Sequence, residues 1–178
     1  MNKGKISTKK IAQTALMTAL LVILQFATKS FGQIVTGSCV NFVLASTVLL
    51  CGLGSAVFVA IISPIFAFLL GIGPAFLPIV PGISAGNLVL VLILYLFLGK
   101  KEDAPAIRKI SAVAVSAIGK FLVLFILVTK IIVPLLSLNE KQSAMISASF
   151  SYPQLITACI GVALAVILFP RLIKGIKK

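Results

Sequence analysis

Two lysines, Lys120 and Lys130, interrupt an otherwise apolar run from Ile110 to Leu136. An ammonium group held away from water is expensive without a partner, so each of them needs an occupation. Ten residues apart on a helix, they are separated by about 15 Å along the axis and about 80° around it, and they do different work. Lys130 lies about six residues from one end of the run, and two readings stand for it: meeting an anionic group in a cavity at that end, or snorkelling along its own stem to the headgroups. Lys120 lies toward the opposite half, where snorkelling the other way or touching a partner protein fits better than ligand contact. A second set of polar side chains sits near the ends of apolar runs: Gln33, Thr36, Ser38 and Asn41, then Asn87, then Tyr152 and Gln154. Such groups are costly in hydrocarbon unless satisfied, which makes them candidates for binding a small molecule. For Asn41 and Asn87 an interhelical hydrogen bond is the alternative, and Gln33 and Thr36 also suit a solvated loop.

Other chemistry is poorly supplied. The chain has no histidine and three carboxylates, Glu102, Asp103 and Glu140, all in polar connections. Metal binding, a carboxylate proton relay and an activated nucleophile all lack their residues, so no enzyme activity is expected. Cys39, Cys51 and Cys159 sit in apolar segments without metal-ligand or CxxC spacing and read as small packing residues.

The elements that must position these groups follow from composition. Of 178 residues, 60% are hydrophobic and 11% charged, and the mean hydropathy is +1.22. A soluble domain carries about a quarter charged residues, so the expectation is an all-α integral membrane protein. The length suits a single bundle of six transmembrane helices, at about residues 11–31, 35–53, 55–72, 84–98, 110–136 and 145–170. The first apolar run is longer than a signal-peptide core and is interrupted by Gln13, Thr14, Thr18 and Gln25, so it reads as a retained span. Gly52 and Gly54 mark a tight turn, and Pro64 should kink the third span and leave a carbonyl for a neighbouring helix to satisfy. Gly73 to Gly82 holds three prolines and two glycines and reads as a non-helical connection, either a lid over the bundle or a loop against the headgroups.

A net charge of +13 would suggest nucleic acid in a soluble protein, but here the placement of the sixteen basic residues follows a membrane. Four precede the first span (Lys3, Lys5, Lys9, Lys10), four lie between the fourth and fifth (Lys100, Lys101, Arg108, Lys109), and four are in the tail (Arg171, Lys174, Lys177, Lys178). With six spans all twelve fall on one side, and retention of basic flanks inside puts both termini in the cytoplasm. Lys29 and Lys141 fall outside.

With these features the chain resembles the S components of energy-coupling factor (ECF) transporters, the substrate-binding membrane subunits of that family. The likeness rests on size, six spans, a basic N-terminus and ALMTA in the first helix. The segments NFVLASTVLLCGLGSA and SYPQLITACIGVALA and the proline-rich outer stretch are similar to the small vitamin-type members. In that family an AxxxA pattern on the first helix docks the membrane subunit called the T component, which carries two ABC-type ATPases; the match falls on Ala15 and Ala19. Alanine is also simply common in membrane helices. The resemblance implies a subunit in the bacterial plasma membrane that captures a vitamin-like micronutrient at its outer face. Its partners would use ATP, and this chain would hold no cofactor. A site of the family kind lies near the outer helix ends. Without tryptophan or an intramembrane acid, a cationic ligand such as thiamine or a metal ion is disfavoured, whereas a neutral or carboxylate-bearing molecule, pantothenate or niacin for example, suits the residues. The rival readings are a self-sufficient secondary carrier, which lacks the intramembrane acid or histidine it would need, and a non-transport membrane scaffold.

Overall fold

The computed structural model describes residues 7–72, 76–99 and 104–176, with side chains as far as residue 168. Lys3, Lys5, Gly73, Pro74, Lys100, Lys101, Glu102, Asp103, Lys177 and Lys178, and the side chains of Arg171 and Lys174, lie outside the described residues. Among those described, the chain is helical throughout, and each apolar run becomes a pass. Helix α1 (Thr8–Thr28) ends in a 3-10 turn (Lys29–Phe31), and α2 (Gln33–Cys51) and α3 (Leu53–Leu69) follow. After α4 (Ile79–Phe97), α5 (Ala106–Leu124) continues through a π-helical segment (Phe125–Ile132) into a closing turn, α6 (Val133–Leu135). The last pass is made of α7 (Glu140–Ser149) and α8 (Tyr152–Ile176). Five passes are long and apolar enough to cross a membrane; α3, with 17 residues, is shorter.

The passes close a ring. α1 packs on α2, α2 on α8, α8 on α5, α5 on α4, α4 on α3, and α3 returns to α1. α2 also reaches across to α4, and these two are the most enclosed of the long passes. The sequence of α2 suits an enclosed place, because every residue from Val43 to Leu49 is buried, Ser46 and Thr47 among them, and polar side chains within a span are kept away from lipid. The α2–α8 crossing is close enough that a Cβ on Gly161 would stand 2.5 Å from the Ser38 carbonyl oxygen. A single residue, Gly52, joins α2 to α3 with φ at 82°, a left-handed conformation that side chains disfavour.

The first three helices lie within two or three residues of the expected bounds at each end, whereas the later passes differ more. α4 begins at Ile79 rather than Ser84, because Pro78 and Pro81 stand at its N-cap and first turn, where no intrahelical N–H bond is lost. The end of the proline-rich stretch is therefore helical. α5 begins at Ala106 rather than Ile110, and its later part loosens into the π register, in which Val133 N–H reaches back five residues to the Val128 carbonyl. The expected single helix over 145–170 is broken at Phe150 and Ser151. Pro153 has no N–H and disfavours helix in the residue before it, so the chain turns there. The polar stretch at 137–143, expected as a loop, instead starts α7 with a capping box: Asn139 Oδ1 accepts from Gln142 N–H at 2.8 Å, and Asn139 N–H donates to Gln142 Oε1 at 3.3 Å. α3 runs unbroken through a buried Pro64.

Candidate functional site

The turn from α1 into α2, the start of α4, and α7 gather at one end of the ring, and there the passes enclose a cavity of about 450 Å³. Every helix of the ring contributes to its polar lining: Gln25 on α1, Gln33, Thr36 and Asn41 on α2, Ser63 on α3, Asn87 on α4, Lys120 on α5 and Gln154 on α8, with Lys29 from the α1–α2 turn and Gln142 and Ser149 from α7 at the rim. Val40, Ala67, Ile72, Phe76, Ile83, Met145, Ile146 and Phe150 make the apolar wall.

Asn41 and Asn87 stand at matching depth, each eight residues past the start of its helix, or about 12 Å below the cavity end. Between them lies Lys120, only 3% exposed, whose Nζ donates to Asn41 Oδ1 at 2.6 Å and to Asn87 Oδ1 at 2.7 Å. Both acceptors are neutral. Each carboxamide is also held by its other end, since Asn41 Nδ2 donates to Thr157 Oγ1 at 3.3 Å and Asn87 Nδ2 to the Ala60 carbonyl at 3.4 Å. Ala60 is the residue four before Pro64, so its carbonyl is the one that the missing proline N–H leaves open. The neighbouring helix that the sequence demands for this carbonyl is α4, and the residue that answers is Asn87.

A second proline has a similar outcome at the rim. The residue four before Pro153 is Ser149, at the end of α7, and its carbonyl accepts from the side-chain amides of both Gln33 and Gln154, the latter at 3.2 Å. Thr36 Oγ1 donates to the Thr28 carbonyl at 2.8 Å and ties the α1–α2 turn together. Two buried cavity atoms are left without a protein partner, Gln25 Oε1 and Ser63 Oγ, on side chains that are 8% and 1% exposed. Ser46 Oγ and Thr129 Oγ1 are also unpaired but stand away from the cavity.

Of the residues singled out from the sequence, Gln33, Thr36, Asn41, Asn87 and Gln154 come together here. Lys130 and Tyr152 do not. Lys130 is exposed with its Nζ 5.2 Å from the centre of the Phe125 ring, and Tyr152, 75% exposed, stacks on Phe121 at 6.1 Å. Lys120 is corrected: it neither snorkels nor faces outward but forms the cavity floor. A span that begins at Ile110 sets Lys120 about 15 Å along, toward the opposite end, whereas the helix starts at Ala106 and puts Lys120 about 21 Å along. Gln25 and Ser63 were missed as site residues, though each is a polar interruption of an apolar run. Ala15 and Ala19 lie on the exposed side of α1, of which Met17, Leu21 and Gln25 are buried. Among the described residues no three His, Cys, Asp or Glu side chains are grouped to hold a metal ion.

No protein-family profile, curated protein or solved structure matches this chain.

Proposed function

We propose that the chain is the substrate-binding S component of an ECF-type importer, capturing a vitamin-like micronutrient at the outer face of the plasma membrane. The observation that carries this reading is the buried Lys120, held by two neutral carboxamides at the floor of a cavity that has unpaired polar atoms in its wall. A cation that served packing alone would be costly here, and an apolar residue of the same size would do as well or better. Of the described basic residues in the helix flanks, Lys9, Lys10, Arg108 and Lys109 lie at the end of the ring opposite the cavity and Lys29 and Lys141 at the cavity end, so retention of the larger basic flank inside supports both termini in the cytoplasm and a cavity that opens outward.

The chain itself makes and breaks no bond. Capture takes place in the cavity, and release inward is driven by ATP hydrolysis in two ABC-type ATPases coupled through the T component. The outward alanines of α1 support that docking role, because Ala15 and Ala19 leave a shallow strip that the chain's own helices do not cover. Two measurements test the proposal. Mass spectrometry of the denatured extract of protein purified from rich medium is expected to yield a stoichiometric small molecule; a clean blank would favour a membrane scaffold. Co-expression with a T component and ATPase pair is expected to give a complex whose yield drops when Ala15 or Ala19 is replaced by Leu. An unchanged yield removes the docking role.

A further inference from the structure

An ammonium group offers three N–H donors, and Asn41 and Asn87 accept two of them from Lys120. The carboxamides cannot turn away, because Thr157 and the Ala60 carbonyl hold their amino ends. Two neutral oxygens solvate the cation without cancelling its charge, and Lys120 lines the cavity, where the third donor is free to meet a guest. Elsewhere in the wall Gln25 Oε1, an acceptor, and Ser63 Oγ are buried and unpaired. An unsatisfied buried polar atom is costly, so a guest with a matching group gains by meeting it.

We infer, on the capture reading above, that the cavity recognises a small monoanion at two points: one carboxylate that takes the third N–H of Lys120, and one hydroxyl or amide N–H that donates to Gln25 Oε1. The charge count sets the limit. Among the described cavity-lining residues Lys120 is the one buried cation; Lys29 also lines the cavity but is exposed and lies over the Phe26 ring at 4.2 Å. A phosphate ester would bring a second negative charge against an apolar wall with nothing buried to neutralise it, and a cationic guest would be repelled.

The test uses the full chain in detergent, with unfolding followed by a thiol-reactive dye on the half-buried Cys39, Cys51 and Cys159. The probes are matched pairs: nicotinate and nicotinamide, pantothenate and panthenol, lipoate and lipoamide, and any compound recovered from the denatured extract together with its amide or acid. Lys120→Met keeps the volume of the side chain and is expected to fold, so it reads recognition rather than collapse. At least one acid is expected to bind more than about tenfold tighter than its neutral mate, and Lys120→Met erases that preference. Gln25→Leu is expected to weaken a hydroxyl-bearing acid by about tenfold while the preference for the acid persists. A neutral mate that binds as tightly as its acid, or a Lys120→Met protein that keeps the preference, overturns the carboxylate assignment and leaves capture standing. Binding of 4′-phosphopantothenate as tight as that of pantothenate overturns the single-charge limit. No response to any compound, with nothing recovered from the extract, overturns capture and the inference with it.

Discussion

Asn41 and Asn87 present their oxygens to Lys120 because their amino ends are already engaged, and this mutual dependence is measurable. Asn41→Leu leaves the ammonium with one fewer acceptor and is expected to cost about 1.5–3 kcal/mol of stability. Combining it with Lys120→Met removes both ends of that bond and the buried charge with them, leaving only the neutral Asn87 Oδ1, which lines the cavity, without its donor, so the double variant should be more stable than Asn41→Leu alone. Thermal unfolding of the four proteins of this cycle reads the coupling; additive costs would show that the two side chains are independent. At this scale the carboxamides were legible, because a polar side chain inside an apolar run stands out in any sequence. The role of Lys120 was not, since it depends on which helices face α5, and no spacing within α5 encodes that.

Pro64 acts through its helix rather than through its own contacts. It opens the Ala60 carbonyl on α3, and that carbonyl fixes Asn87 on α4. Pro64→Ala restores the N–H and closes the α3 ladder again, which is expected to stabilise the empty protein by about 1–3 kcal/mol. The same change gives the Ala60 carbonyl a second donor that competes with the long bond from Asn87 Nδ2 and loosens its amino end, so ligand affinity should fall several-fold; a binding isotherm beside an unfolding curve would show the opposed signs. A variant that gains stability and keeps its affinity would sever Pro64 from the site. The need for a neighbour at that carbonyl was readable from a proline within an apolar run, though its identity was not. Helix ends were less legible than helices: Pro78 and Pro81 looked like breakers and proved to be starters, while Pro153 looked like part of a span and divided it. Proline has both effects, and which one applies depends on whether the missing N–H falls in a first turn.

Six passes returning to form a ring give the molecule two unlike ends: the cavity opens at one, and Lys9, Lys10, Arg108 and Lys109 stand at the other. With Cys39, Cys51 and Cys159 replaced by alanine, a single cysteine at Ser137 should react with an impermeant maleimide on intact cells, and one at Ala106 only after permeabilisation. The reverse pattern would turn the cavity toward the cytoplasm and remove the importer reading. The number of helical passes was legible, since it follows from the hydrophobic runs; the order of helices around the ring was not, because it is settled by close approaches such as that at Gly161. The bond from Gln33 to the Ser149 carbonyl spans the rim, beside the turn at Phe150 and Ser151. On the capture proposal, a catch in that position would set how long a guest dwells more than how firmly the floor grips it. Gln33→Ala is therefore expected to speed arrival and departure together, several-fold each, with the equilibrium constant within about twofold of its former value. Surface plasmon resonance would register the change in residence time where an isotherm registers nothing.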